Sequence, residues 1–445
     1  MSEKQKVEIV SVNSNNNKTK QVIIKNPDIK ILQKNSQIIK SVNSRKNLFN
    51  KDILKKTTNF LITGGSGLLA SHIIYQIIED NIDNIDNIRI FNLIHNNSKE
   101  KFDYFLRKKL LYKKSKKIPK EKLRKFFFNI DFDLKTNFCG LDEKLIEHLQ
   151  GIKIDHFFHI AALTDFRNST QIKKRLNETN LNGTKRILEL ARILKIKKIH
   201  YISSSYVCGK NDGLISPYYI NTGEFHNYYE KSKLNAELYF EQYCKNNKLQ
   251  YMIYRIATIS GRLINEPIGY TNKYDVFYSW FHFFYKIKQK TGLLPNDKLI
   301  LKIRLHVAKN QGLNIVPVDY AAKIISDIAR NDLFHKKENK VHIANNNNFN
   351  HREYINLMLD TLNISGYKFV DNLPPQDSLN NIEKIYYKYI GSIFHGYLNE
   401  GNMIFDVSNI KNYFSEIIQV CPEMNAKNYF NLLKYALKTD FNKLK

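Results

Sequence analysis

The strongest constraint on this chain is the run Thr63-Gly64-Gly65-Ser66-Gly67-Leu68-Leu69-Ala70, directly after the apolar stretch Phe60-Leu61-Ile62. A buried strand that turns on glycines into a helix is the opening unit of a dinucleotide-binding α/β fold. Gly64 permits the tight turn, Gly67 lets backbone approach a pyrophosphate, and Ala70 is small enough for the helix to pack closely on the strand. The pyrophosphate then meets free N–H groups at the positive end of the helix dipole. The cofactor contacts expected at this turn are Thr63, Gly64, Ser66, Gly67 and Leu68.

Downstream, strand-like and helix-like segments alternate, which predicts a parallel sheet wrapped by helices. Strands are expected at 59–63, 88–94, 125–130, 156–162, 198–203 and 251–257. Helices are expected at 68–80, 103–117, 181–194, 229–246 and 275–290. The fold class is therefore α/β: a doubly wound Rossmann sheet with a smaller C-terminal substrate lobe. Residues 1–56 are polar and rich in Asn and Lys, and read as a flexible basic extension. Residues 57–261 form the expected NAD(P)-binding domain. Residues 262–445 form the expected substrate lobe, with a stretch near 313–345 returning to the sheet.

The net charge of +28 would suit an anionic partner, but Lys and Asn are spread throughout, as compositional drift would produce. No nucleic-acid-binding signature is present, so no nucleic-acid partner is expected. Cys139, Cys208, Cys244 and Cys421 have the spacing of neither a metal site nor a disulfide framework. They read as buried thiols in a reducing compartment. Without a signal-peptide core or a membrane-spanning run, a cytoplasmic enzyme is expected.

Cofactor choice depends on the tip of the second strand, where an acid would bind the ribose hydroxyls of NAD. Here the tip is Asn92-Leu93-Ile94-His95, with Arg107 further on. NADP(H) is favoured over NAD(H), with His95 and Arg107 near the adenosine. Asp133 is expected to reach the adenine amine, and Ala161 to line the cofactor with its backbone.

The second motif is Tyr229-Glu230-Lys231-Ser232-Lys233. It places a phenol and an ammonium one helical turn apart on one face. Hydride transfer to a carbonyl builds charge on oxygen, which a nearby acid must meet. Tyr229 suits that role if Lys233 stabilises its phenolate. Lys233 would also hold the nicotinamide ribose. Ser204, in Ser203-Ser204-Ser205, would hydrogen-bond the carbonyl oxygen, and Asn180 would support Lys233 through water. Tyr228 lacks an ammonium four residues on. His156 and His159 read as packed rather than catalytic.

The aromatic stretch Val276-Phe277-Tyr278-Ser279-Trp280-Phe281-His282-Phe283-Phe284-Tyr285 reads as the core of the smaller lobe. Two alternatives stay open: an acyl tunnel, and a membrane-surface face with Lys286, Lys288 and Lys290 at lipid headgroups.

Together these motifs resemble the extended short-chain dehydrogenase/reductase superfamily, and within it the thioester-reductase and fatty-acyl-CoA-reductase branch with its male-sterility-type NAD-binding domain. The segments that carry the resemblance are TGGSGLLASH, DLKTNFCGLD, HIAALTDF, NLNGTKRILELA, ISSSYVCG, YEKSK, NIVPVDYAA and FDVSNI. The resemblance implies NADPH-dependent reduction of an acyl thioester to an aldehyde or alcohol, with transient contact to an acyl carrier allowed. By motif position it implies Ser204, Tyr229 and Lys233 as the catalytic set. The branch often carries arginine where His95 stands. Alternative functions are a sugar-nucleotide or hydroxysteroid-type oxidoreductase or epimerase, and a non-catalytic dinucleotide-binding scaffold.

Overall fold

The computed structural model describes residues 57–95, 118, 120–294, 296–414 and 420–442. The expected extension at 1–56 and the expected helix at 103–117, with Arg107, lie outside the described residues.

Seven parallel strands form the central sheet: β1 (Thr58–Thr63), β2 (Ile88–Ile94), β3 (Phe127–Asp131), β4 (His156–His159), β5 (Lys198–Ser204), β6 (Gln250–Ile256) and β7 (Lys340–Ile343). Their spatial order is β7-β6-β5-β4-β1-β2-β3. Chain direction across the sheet reverses between β1 and β4, which opens a crevice at the carboxyl ends of those strands. The main helices are α1 (Leu68–Asp80), α2 (Lys120–Phe126), α3 (Glu143–Gln150), α4 (Thr170–Leu176), α5 (Gly183–Ile193), α6 (Tyr228–Asn246), α7 (Phe277–Lys290), α8 (Val318–Arg330), α9 (His351–Thr361) and α10 (Ala426–Lys438).

Side-chain alternation along each strand feeds two cores, one on each face of the sheet. Phe60 and Ile62 of β1 pack with Ile73 and Ile77 of α1 and Ile324 and Ile328 of α8. Leu61 points the other way, into a core with Leu149 of α3, Leu190 of α5 and Phe240 of α6. A third cluster, away from the sheet, joins Phe277, Trp280 and Phe284 of α7 to Met358 of α9 and Leu432 of α10. After leaving the sheet the chain returns: Ile315–Pro317 pairs in parallel with Thr258–Ser260, and β7 pairs with β6. All four cysteines are buried and none is in a disulfide.

Three elements differ from the sequence pattern. The fourth strand ends at His159 rather than 162, because the next two amides turn aside to bond the Thr63 hydroxyl, Ile160 N at 3.0 Å and Ala161 N at 3.1 Å. The helix expected to begin at 181 begins at Thr170 and runs through one π-helical stretch, Asn177–Asn182, into α5. Helix α7 begins at Phe277, since Val276 holds φ 50° and ψ −119°. Among the described residues no helix is long and apolar enough to cross a membrane. The membrane-face reading of α7 does not hold. Its Phe277, Trp280, Phe281 and Phe284 are core residues, and the Lys288 ammonium donates to the carbonyls of Asp297 at 2.7 Å and Leu362 at 2.6 Å.

Candidate active site

The turn after β1 is built by glycine. Gly64 has φ +74°, and a Cβ there would lie 2.9 Å from the Ala161 Cα. Gly65, a position the fingerprint leaves open, is the more restricted: a Cβ would lie 1.9 Å from Asn92 Oδ1. The Gly64 amide donates to Leu93 O at 3.0 Å, which ties the turn to β2. Helix α1 starts at Gly67 with no side-chain cap, so its first N–H groups face the crevice unsatisfied by any side chain. An uncapped helix end above a glycine cradle fits the diphosphate of a dinucleotide.

From this turn a cavity of about 530 Å³ runs across the carboxyl ends of the strands. Gly64, Ser66, Gly67, Leu68, His95, Asp133 and Ala161 line its cofactor end, and Ser204, Tyr229 and Lys233 line its far end. The two motifs, remote in sequence, thus face one space. Two residues expected to touch cofactor do not line it. Thr63 is fully buried, and its hydroxyl anchors the loop after β4 as described and pairs with His159 Nδ1 at 3.2 Å. The Asn180 side-chain amide is taken up by Leu163 and Ser232. Its Oδ1 accepts from Leu163 N at 2.8 Å, and its Nδ2 donates to Leu163 O at 3.0 Å and Ser232 Oγ at 2.9 Å. Asn180 therefore pins the Thr164 loop to α6. Asp133 uses one carboxylate oxygen to accept from Lys135 N at 2.9 Å.

Hydrogen bonding sets the three serines apart, although Ser203 and Ser204 both line the cavity. Ser203 Oγ donates to Glu237 at 2.5 Å, and Ser205 Oγ donates to Arg255 O at 3.0 Å, behind the sheet end. Ser204, the last residue of β5, faces the cavity beside Tyr229. Tyr229 sits in the first turn of α6, which is capped by Asn227, whose Oδ1 accepts from Glu230 N at 3.1 Å. Buried Glu230 is held in turn by the His226 amide at 2.9 Å and by the hydroxyl of Tyr397. Tyr228, one residue earlier, does not line the cavity; its ring lies under Lys173.

The electrostatics differ from the sequence expectation. Burial raises the pKa of the Tyr229 phenol above the ordinary tyrosine value. The charge that opposes this is Lys273, followed by hydrogen bonds from Thr164 and Ser204, while Asp275 adds to the rise. Lys233 is engaged by β5. Its Nζ donates to Tyr201 OH at 3.1 Å and Ile202 O at 2.7 Å, and lies 4.5 Å from the Tyr201 ring centre. Burial lowers its pKa to about 7, with Glu237 working against the fall. Lys273, Asp275, Thr164 and Lys135 all line the cavity, and the sequence offered no periodicity or motif to single them out.

A second, apolar cavity of about 40 Å³ adjoins the first. Phe166, Tyr206, Thr258 and Val276 belong to the walls of both. Beyond them it is closed by Trp280, Tyr354, Phe394, Tyr397 and Leu398. Its size admits about three waters, or a short run of methylenes.

Known proteins share this fold. A dTDP-D-glucose 4,6-dehydratase of Dictyostelium discoideum is 30% identical over 214 residues, 45% of this chain and 44% of that protein. The chain spans about half the length of the curated relatives it matches. Among solved structures, the terminal R domain from the myxalamid PKS-NRPS biosynthetic pathway superposes with a TM-score of 0.64 at 20% identity, covering 87% of this chain and 92% of that one. DesIV, a dTDP-glucose 4,6-dehydratase from Streptomyces venezuelae with NAD and TYD bound, superposes with a TM-score of 0.56 at 16% identity, over 86% and 98%. The model of the male sterility protein family matches residues 62–325, from inside β1 to inside α8. With the glycine cradle, the reversed sheet and the Ser204, Tyr229 and Lys233 cluster all inside that span, the chain belongs to the male-sterility-type NAD-binding family of extended short-chain dehydrogenases/reductases.

Proposed function

We propose that the protein is an NADPH-dependent reductase of an acyl thioester. One observation supports it most: the cavity that joins the glycine cradle to Tyr229 opens onto an apolar, aromatic annex rather than a polar one. An apolar annex suits an acyl chain and leaves sugar hydroxyls without partners. Its small volume favours a short or compact acyl group. A bound reduced nicotinamide supplies the hydride. Tyr229 holds the proton that the substrate oxygen receives, and Ser204 donates a hydrogen bond to the same oxygen. Two of the three Lys233 donors are engaged by Tyr201 and Ile202, which leaves one for the nicotinamide ribose. The diphosphate rests on the glycine turn and the uncapped end of α1. Lys135 brings an ammonium and His95 an imidazole to the adenosine end, where no carboxylate stands at the tip of β2; this supports NADPH. In this reading the chain divides near Gly261 into a cofactor part and a substrate part. The substrate arrives on coenzyme A or on a carrier.

The test is oxidation of NADPH by purified protein over a panel of acyl-CoAs from two to sixteen carbons. Turnover is expected, and Tyr229→Phe is expected to lower it about 100- to 10,000-fold. The dehydratase relative favours a second reading, a nucleotide-sugar substrate. Turnover of dTDP- or UDP-glucose with no thioester activity would establish that reading instead.

A further inference from the structure

At the amino ends of the strands, the pole opposite the catalytic crevice, lies a polar cavity of about 180 Å³. Three neighbouring strands line it with their first residues: Thr58 of β1, His156 of β4 and Lys198 of β5. Asn81 after α1, Arg330 at the end of α8 and Asp332 add to its polar wall. None of these residues lines the cavity that holds the glycine cradle and Tyr229.

Behind the wall a buried chain of hydrogen bonds crosses three strands. His156 Nδ1 lies 3.1 Å from His200 Nε2, and His200 Nδ1 lies 3.0 Å from the hydroxyl of Tyr254 on β6. His200 and Tyr254 are wholly buried, and His156 is 8% exposed. The inner end sets the direction of the chain. Among the described residues the Tyr254 hydroxyl has one partner, His200 Nδ1, so its proton is donated there. His200 then carries its own proton on Nε2 and donates to His156 Nδ1. That leaves the His156 proton on Nε2, a donor that bonds nothing among the described residues and is open at the cavity wall. Phe60 stacks on the imidazole, ring centres 5.2 Å apart, and holds its plane.

Two further donors stand beside it. The Lys198 side chain is largely buried and uses one N–H on Asp332, at 2.6 Å, which leaves two. Arg330 gives Nε to Ser326 O at 3.3 Å and Nη2 to Asp80 and Asp327 at 2.7 and 2.9 Å, while its Nη1 makes no bond among the described residues. Donors left over in a half-enclosed space call for a ligand rich in acceptors. A cation entering here would meet the Lys198 and Arg330 charges. The carboxylates of Asp332, Asp80 and Asp327 temper those charges, so an anion binds with moderate affinity rather than tightly.

We infer that this cavity is a binding site for a small oxyanion, a phosphate or a carboxylate, held by the His156 Nε2–H, the Lys198 ammonium and the Arg330 guanidinium. The ligand would sit across the amino ends of β1, β4 and β5, remote from the reacting groups, and the Tyr254–His200–His156 chain keeps the imidazole a donor without requiring it to be charged.

The full chain is labelled with 15N-histidine, and the His156 and His200 resonances are assigned by their loss in His156→Phe and His200→Phe, with glutamine variants should either phenylalanine protein not fold. Long-range 1H–15N spectra read the tautomers, and both residues are expected in the Nε2–H form. Inorganic phosphate is then titrated with NAD+ and NADP+ in excess, so that the glycine cradle is filled. The His156 Nε2 signal is expected to shift saturably with phosphate and not with sodium chloride at equal ionic strength; acetate in place of phosphate shows which oxyanion the cavity prefers. Lys198→Met should raise the midpoint about tenfold or more, and Arg330→Gln should raise it as well. His156 in the Nδ1–H form, no saturable shift with phosphate or acetate, an equal shift with chloride, or a midpoint unmoved by Lys198→Met overturns the inference.

Discussion

Lys233 is buried, and its ammonium has a pKa of about 7 against 10.5 for the free side chain. Between those values the unfolded chain binds a proton that the folded chain does not, so stability rises with pH across that window. Below pH 7 the burial penalty is fully present. Replacing the ammonium with an apolar group of similar length removes it. The cofactor-free Lys233→Met protein is therefore expected to melt higher than wild type at pH 6, with the gap closing toward pH 10. A melting difference that is flat with pH would show that the ammonium carries no such penalty.

At the scale of elements, α6 carries the chemistry and the sheet holds α6 in place. Two turns beyond Tyr229, the Glu237 carboxylate meets Arg255 of β6 at 2.8 Å, Lys340 of β7 at 3.0 Å and Ser203 of β5 at 2.5 Å. Burial pushes its carboxyl upward, but the charges of Arg255 and Lys340 and the hydrogen bonds from Arg255 and Ser203 prevail and hold it at about 2. Its contribution to stability is fully present above the unfolded value near 4.5 and is lost as pH falls toward 2. Glu237→Gln leaves buried Arg255 without its counter-charge and Lys340 with Glu241 alone, and is expected to destabilise the protein by about 3–5 kcal/mol, read by urea unfolding at pH 7. The same variant should lose the acid limb of the wild-type stability profile between pH 4.5 and pH 2.

The elements were also what the sequence disclosed best. Helix α1 and strand β2 have the bounds their apolar patterns indicate, because each is buried along nearly its whole length. Ser204, Tyr229 and Lys233 were legible because a strand end and one helical turn fix them locally. What escaped reading depends on partners far along the chain. The early end of β4 follows from the Thr63 hydroxyl, the π-helical stretch carries an Asn180 that serves Leu163 and Ser232, and the need for glycine at 65 comes from Asn92. Lys273 was invisible for the same reason. It lies in a stretch with no periodicity, placed by Thr271 and Tyr274 rather than by helix or strand.

Across the whole molecule, the site is composite. The glycine cradle and phenol belong to the sheet, whereas the annex walls Trp280, Phe394 and Leu398 belong to the cluster built on α7, α9 and α10. Under the proposed function, cofactor and reaction type reside in one part of the chain and acyl size in another. Leu398→Ala is expected to deepen the annex and shift kcat/KM toward acyl chains one to three carbons longer by about tenfold, measured as a ratio over the acyl-CoA panel. An unchanged length preference would place the acyl group elsewhere.

Tyr397 sits on both sides of that division. Its ring helps to close the annex, and its hydroxyl meets the buried Glu230 carboxylate at the start of α6 and accepts from Asn227 Nδ2 at 2.7 Å. Selectivity and rate thus share a single phenol oxygen. A variant that makes room by removing this side chain also loosens the turn that presents Tyr229, and gains in substrate range arrive with a slower enzyme. Evolution toward bulkier substrates, natural or directed, has an open road through Phe394 and Leu398 and a closed one through Tyr397.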